Sequence, residues 1–134
     1  MIEGSCHCGA VRYEYVGKFG TITICHCADC RQLQGTGVVA APADARTLRW
    51  TAGQELITEY ASSADKLRAF CSRCGTPLYS RRPQAPDMLR LRMGSIRTPV
   101  DATPTAHIFC HDLPPWAALD DALPRHAAQE PGRR

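Results

Sequence analysis

The sequence has no long apolar run. Nothing in its 134 residues approaches the ~20 apolar residues that a membrane-spanning helix needs, so no membrane partner is expected. The opening Met1-Ile2-Glu3-Gly4-Ser5-Cys6 has neither the basic stretch nor the apolar core of a secretory signal, which sets the expectation of a reducing compartment, the cytoplasm. Charge of one sign is also scarce. Sixteen Lys and Arg against 13 Asp and Glu leave +3, too little to point to nucleic acid, and Arg133-Arg134 is too short for a basic tail. Helical patterning is thin. Ala28–Gln34, ended by Gly35, and residues 117–122, after Pro114-Pro115, read as one or two short helical turns.

Short β-type segments are plentiful. Residues 10–15, 21–25, 37–41, 48–51, 56–60, 67–71, 78–81, 88–93 and 105–110 are each apolar or alternating, and Gly, Pro and small polar residues separate them. Many short strands at near-regular spacing predict a mostly β domain. Length fits one domain over 1–126, followed by a flexible C-terminal tail over 127–134 that ends Pro-Gly-Arg-Arg.

Cysteine is the abundant residue, with 8 in the chain. Such density means either disulfides or metal sites, and a reducing compartment favours metal. The cysteines fall into Cys6-His7-Cys8-Gly9, Cys25-His26-Cys27-Ala28-Asp29-Cys30, Cys71-Ser72-Arg73-Cys74-Gly75 and the isolated Cys110. A two-residue gap lets two sulfurs turn toward one ion at about 2.3 Å, and a following glycine can take positive φ. Seven clustered cysteines divide as four plus three. Cys6, Cys8, Cys71 and Cys74 make a closed four-thiolate site; Cys25, Cys27 and Cys30 make an open one. Pairing Cys27 and Cys30 with Cys71 and Cys74 is the alternative. Sulfur-rich tetrahedral sites suit zinc, with iron as the competitor.

The other candidates carry plainer expectations. His7 and His26 sit between paired cysteines and alternate away from the sulfurs, as supporting or surface groups. His107 reads as a satisfied structural histidine, and His111 and His126 as surface residues. Cys110 reads as a semi-buried free thiol, with a fourth ligand as its other role. Arg31 is the nearest cation to the three-cysteine cluster and a candidate for holding an anionic substrate. Arg90 and Arg92 alternate with Leu89 and Leu91, as the wet face of a strand does. Trp50 and Trp116 read as packing residues.

These motifs together resemble a known family. Residues 4–13 (Gly-Ser-Cys-His-Cys-Gly-Ala-Val-Arg-Tyr), Cys25-His26-Cys27-x-x-Cys30-Arg31 and Phe70-Cys71-x-x-Cys74-Gly75-Thr76-x-Leu78 are similar to the glutathione-dependent formaldehyde-activating enzymes, which include centromere protein V. Gly94-Ser95-Ile96, residues 104–109, Pro115-Trp116 and residues 121–124 extend the likeness over roughly residues 3–126. Arg97, where many relatives carry an acidic residue, and Cys110 depart from it. The resemblance implies small antiparallel sheets in a tent-like, zinc-stapled domain. It implies a structural zinc on Cys6, Cys8, Cys71 and Cys74, and a second zinc on Cys25, Cys27 and Cys30 near bound glutathione. The implied activity is a carbon–sulfur lyase reaction that joins glutathione, or another small thiol, to formaldehyde. A non-catalytic zinc module that binds another macromolecule, or a redox-sensing one, is the competing expectation.

Overall fold

The structure, a computed structural model, describes residues 1–131; Arg133-Arg134 and the end of the expected tail lie outside the described residues. The elements run β1 (Ile2–Ser5), β2 (Arg12–Tyr15), β3 (Thr23–Cys25), α1 (Ala28–Gln34), β4 (Val38–Asp44), β5 (Leu48–Ala52), β6 (Ile57–Ser63), β7 (Lys66–Cys71), β8 (Pro77–Arg81), β9 (Met88–Arg92) and β10 (Ala106–Ile108). They form a three-stranded sheet, β1-β2-β5, and a seven-stranded sheet, β10-β3-β4-β9-β8-β7-β6. The mostly β expectation holds. All pairs are antiparallel except β3 with β10, which run parallel. A parallel partner needs a long connection, and here it comes from the far end of the chain.

The large sheet has two unlike faces, and register assigns them. Ala41 lies opposite Leu91, Leu91 opposite Tyr79, and Tyr79 opposite Ala69. That face packs on Tyr13, Tyr15 and Leu48 of the small sheet to form the main core. Fully burying a side chain such as Leu91 contributes roughly 1.5–3 kcal/mol. The other face follows from the same pairings. Arg68 lies opposite Ser80, Ser80 opposite Arg90, Arg92 opposite Ala40, Ala40 opposite Thr23, and Val38 opposite Cys25. Polar residues crowd that face, and α1 packs there through Cys30 against Val38 and Ala40. Pro42 is tolerated within β4 because it lies past the end of the β3 ladder, where only its carbonyl is used, by the Gly20 amide.

The α1 helix forms where its sequence predicts. Cys27 caps it by accepting the Cys30 amide, Asp29 sits in the first turn, and Gly35 closes it at φ 86°. The second expected helix is absent. Pro115 and Trp116 form a turn, and residues 117–120 have no regular structure. The reason is competition for the backbone: the Leu119 carbonyl accepts from the Arg125 guanidinium, and Asp121 is drawn to His107. His126, at the expected end of the domain, and residues 127–128, at the start of the expected tail, are hydrogen-bonded. Amides of Phe109, Cys110 and His111 donate to their carbonyls.

Candidate functional site

The four-thiol cluster is built from two matching turns. Cys6 directly follows β1 and Cys71 ends β7, and both are fully buried. In each turn the glycine amide donates back to the first cysteine carbonyl: Gly9 to Cys6 at 3.1 Å, Gly75 to Cys71 at 2.7 Å. Gly9 and Gly75 take φ of 80° and 82°, which only glycine adopts cheaply. The turns are tied by the His7 amide donating to the Thr76 hydroxyl at 2.9 Å. The Val11 amide points at Cys6 Sγ at 3.3 Å. The Thr76 hydroxyl, with backbone amides, holds the Cys74 thiol down at about 5. Arg97 braces the strand entering this turn by donating to the Ser5 hydroxyl at 3.0 Å.

The three-thiol cluster sits at the β3–α1 junction. Cys25 ends β3, Cys27 caps α1, and Cys30 lies buried one turn later. Sulfurs of Cys25, Cys27 and Cys30 lie within 4.8 Å of one another, as do those of Cys6, Cys8, Cys71 and Cys74. A tetrahedral ion with bonds of about 2.3 Å would space its sulfurs about 3.8 Å apart. Cys6 and Cys8 stand 3.5 Å apart, and Cys8 and Cys71 4.0 Å apart. All eight thiols are free. The donor sets therefore fit a thiophilic metal ion, and the alternative pairing of Cys27 and Cys30 with Cys71 and Cys74 is excluded. Cys110 belongs to neither cluster, and burial pushes its thiol up.

Charge around the three thiols is strongly one-sided. A cavity of about 220 Å³ is lined by Cys25, Cys27 and Cys30 together with Lys66, Arg68, Arg82, Arg90 and Arg92. Among the described residues in its wall, Asp29 is the only acid. Arg68 Nη1 donates to Cys30 Sγ at 3.4 Å. Hydrogen bonds from the Cys25 and Cys27 thiols, then from Arg68, draw the Cys30 pKa far down. Cys25 is pushed far up by the neighbouring Cys27 and Cys30 thiols, and then by burial. Cys30 thus ionises before Cys25. Burial, then the Arg68 charge, lowers Lys66 to about 8, and burial lowers Arg92 to about 10. Lys66, Ser80, Arg82, Arg90 and Gln129 also wall an adjoining hollow of about 390 Å³.

The expectation for Arg92 is corrected, whereas Arg90 is half-buried where the thiol cavity meets the outer hollow. Arg92 is only 5% exposed, bonded to Gln34 at 3.0 Å and Ser80 at 3.3 Å. That strand face is covered by α1 and turned toward the thiols rather than toward water. Arg31 is placed elsewhere. Its Nη1 donates to the Asp112 carbonyl at 2.7 Å, and it lines a separate small hollow with His26 and Trp116. Trp116 is 65% exposed at the rim of that hollow and is not a packing residue. Trp50 does pack, 5.3 Å edge-on to Tyr13. Lys66, Arg68 and Arg82 were missed by sequence reasoning. The legible signal was two i, i+2 basic pairs, Lys66/Arg68 and Arg90/Arg92, on strands that β8 joins.

His26 and His107 support the loop that carries the thiols. His26 Nε2 meets His107 Nδ1 at 2.8 Å, and His107 Nε2 meets Asp121 at 2.9 Å. An ionised Asp121 accepts from His107 Nε2, so His107 Nδ1 accepts from His26. Burial, then His107, lowers the His26 pKa and keeps it neutral. The Ala28 amide donates to the Asp112 carboxylate at 3.0 Å, a second tie between α1 and the chain after β10.

A mostly β domain with two preformed thiol clusters, one enclosed and one opening on a basic cavity, defines a class of cysteine-clustered domains whose thiols could hold metal ions. The profile of the family described as glutathione-dependent formaldehyde-activating enzyme matches residues 1–112. A protein of Halomonas elongata that carries a provisional assignment to that same enzyme is 31% identical over 129 residues, covering 90% of this chain and 82% of its own. A crystal structure of a Rhodobacter sphaeroides protein superposes with a TM-score of 0.61 at 27% identity, covering 74% of this chain and 91% of its own. The chain belongs to the glutathione-dependent formaldehyde-activating enzyme family.

Proposed function

We propose that this protein is a cytoplasmic carbon–sulfur lyase that makes or cleaves S-(hydroxymethyl)glutathione or a close thiol adduct, with zinc at both thiol clusters. Cys6, Cys8, Cys71 and Cys74 would hold one ion and staple the two sheets. Cys25, Cys27 and Cys30 would hold the other beside the cavity. Zinc bound there would lower the pKa of an incoming thiol and keep it a thiolate near neutral pH. The protein's own residues supply the rest. Arg68 stands against Cys30 and compensates the negative charge gathered by three thiolates. Lys66, Arg82 and Arg90 wall the outer hollow and attract the carboxylates of a glutathione-like peptide. The buried thiol face, with Ile108 and Phe109 in its wall, limits water at the reacting carbon.

The observation that carries this reading is the convergence of basic side chains on a three-thiol cluster in a chain of this family. An anionic thiol is the guest such a cavity selects. The test is exchange NMR of formaldehyde and glutathione with catalytic amounts of the zinc-loaded protein. Adduct formation should be faster than the spontaneous reaction and return to the spontaneous rate with Cys27→Ser. A wild-type rate equal to the spontaneous one would sink the proposal.

A further inference from the structure

Arg68 and Arg92 form a wall with two sides. Both line the cavity of the three thiols, where Arg68 donates to Cys30, and both also line a larger groove. This groove, about 560 Å³, runs between α1 and the β6–β8 region and is lined by Leu33, Tyr60, Phe70, Pro77 and Tyr79. A one-carbon aldehyde occupies little more than the ~30 Å³ a water takes in the liquid, whereas pockets of roughly 300–1,000 Å³ take drug-sized organic molecules. Leu33 is 49% exposed and Tyr60 54% exposed, so large apolar side chains stand open at the groove, beside Thr58 and a Glu59 already paired with Arg81.

Both guanidiniums are buried, and among the described residues neither forms an ion pair with a carboxylate; the groups that raise their basicity are the cluster thiols. Arg68 is further fixed by donating to the Ser62 hydroxyl at 2.9 Å, and Arg92 by Gln34 at 3.0 Å. Two fixed donors at the junction of a thiol cavity and an apolar groove suit a molecule with a carbonyl head and an organic tail.

We propose that this groove holds the organic substituent of the carbonyl partner, so that the protein joins its thiol to aldehydes carrying an aromatic or alkyl group, with the carbonyl oxygen between Arg68 and Arg92. This rests on the thiol–carbonyl reading above. The thiolate sulfur bonds to the carbonyl carbon, the C=O π pair moves to oxygen, and the alkoxide regains from water the proton that the thiol gave up on ionising. The product is a hemithioacetal, and nothing is oxidised or reduced. The guanidiniums stabilise the oxygen as its charge develops.

The test compares kcat/KM for phenylacetaldehyde and formaldehyde, with glutathione as thiol, in wild type and in the groove-filling variants Leu33→Trp and Thr58→Trp. Wild type should turn over both, and each variant should lower the phenylacetaldehyde-to-formaldehyde ratio about tenfold or more, the discrimination a filled apolar pocket gives. Turnover of formaldehyde alone, or a ratio unmoved by both variants, overturns the proposal while leaving the parent reading intact. Acceleration of neither aldehyde sinks the parent reading instead. In that event phenylacetate decides for the groove: saturable NMR shifts at Tyr60 and Phe70, abolished by Leu33→Trp, support an apolar guest with its polar head on Arg68 and Arg92. Their absence overturns it.

Discussion

Arg68 donates to the Cys30 sulfur at 3.4 Å across 38 positions of sequence, joining the middle strand of the β6-β7-β8 meander to the first turn of the only α-helix among the described residues. Both residues are buried, so little water screens the contact. A hydrogen bond to a charged group contributes about 1.5–3 kcal/mol, which corresponds to about 1–2 pKa units. In the metal-free, reduced protein, Arg68→Met should therefore raise the pH midpoint of Cys30 alkylation by roughly one unit or more. Mass-resolved iodoacetamide labelling across pH measures this. An unmoved midpoint would mean that the neighbouring thiols alone hold Cys30 ionised.

The two clusters differ in what they hold together. Cys6 and Cys71 are fully buried in the main core, and the four-thiol site closes a loop of 63 residues between Cys8 and Cys71. Structural zinc sites carry apparent folding free energies on the order of 10 kcal/mol. The three-thiol site spans one short loop and is walled by a cavity. Cys71→Ser should abolish cooperative folding, whereas Cys27→Ser should lower metal content from about two ions per chain to about one with the fold retained, since an open site need not carry folding energy. Elemental analysis with thermal melts of both variants checks this.

Lys66 gives the cavity a pH handle. Its pKa falls from 10.5 to about 8 through burial and then the Arg68 charge. Below about pH 8 it is charged and attracts an anion; above, it is neutral. Folding responds in the opposite direction: between about 8 and 10.5 the unfolded chain binds the proton more tightly, so this residue's contribution makes stability rise with pH there. Binding of S-methylglutathione, which has no free thiol, should weaken as pH passes from 7 to 9. Losing one charge-assisted contact of about 1.4 kcal/mol costs about tenfold. Lys66→Met should start weaker and lose most of that pH dependence, read by titration calorimetry.

Much of the site was legible because cysteine spacing and turn glycines are local signals. Cys27 as helix cap and Gly35 as helix end needed only neighbouring residues. The strands were legible for the same reason, apart from β1, whose Gly4 and Ser5 hide its extended form. Arg68 and Arg92 could not be read, because an arginine on an alternating strand looks the same facing water or facing a thiol. Only the register through β8, which sets Arg68, Ser80 and Arg90 on one face, decides it. Likewise the helix expected over 117–122 lost to partners far off in sequence, His107 foremost.

Gly4 links the core to the four-thiol cluster. It pairs with Tyr13 across β1 and β2, and a Cβ on Gly4 would fall 2.0 Å from the Tyr13 ring. The ring has nowhere to go. Its hydroxyl is 2.6 Å from Ser95 Oγ, its face meets Trp50, and it is 1% exposed. The strand must therefore move instead, and β1 leads directly into Cys6. Overpacking of this kind costs about 1–3 kcal/mol or more. Gly4→Ala should lower denaturant stability by at least that amount and weaken metal retention by the four-thiol cluster against a competing chelator. Placed in a Tyr13→Leu background, the same alanine should cost about 1 kcal/mol less than it does alone, because the atoms it strikes are gone; contacting residues couple by about 0.5–3 kcal/mol. Equal costs in the two backgrounds would show that Gly4 matters for its backbone and not for the space above it.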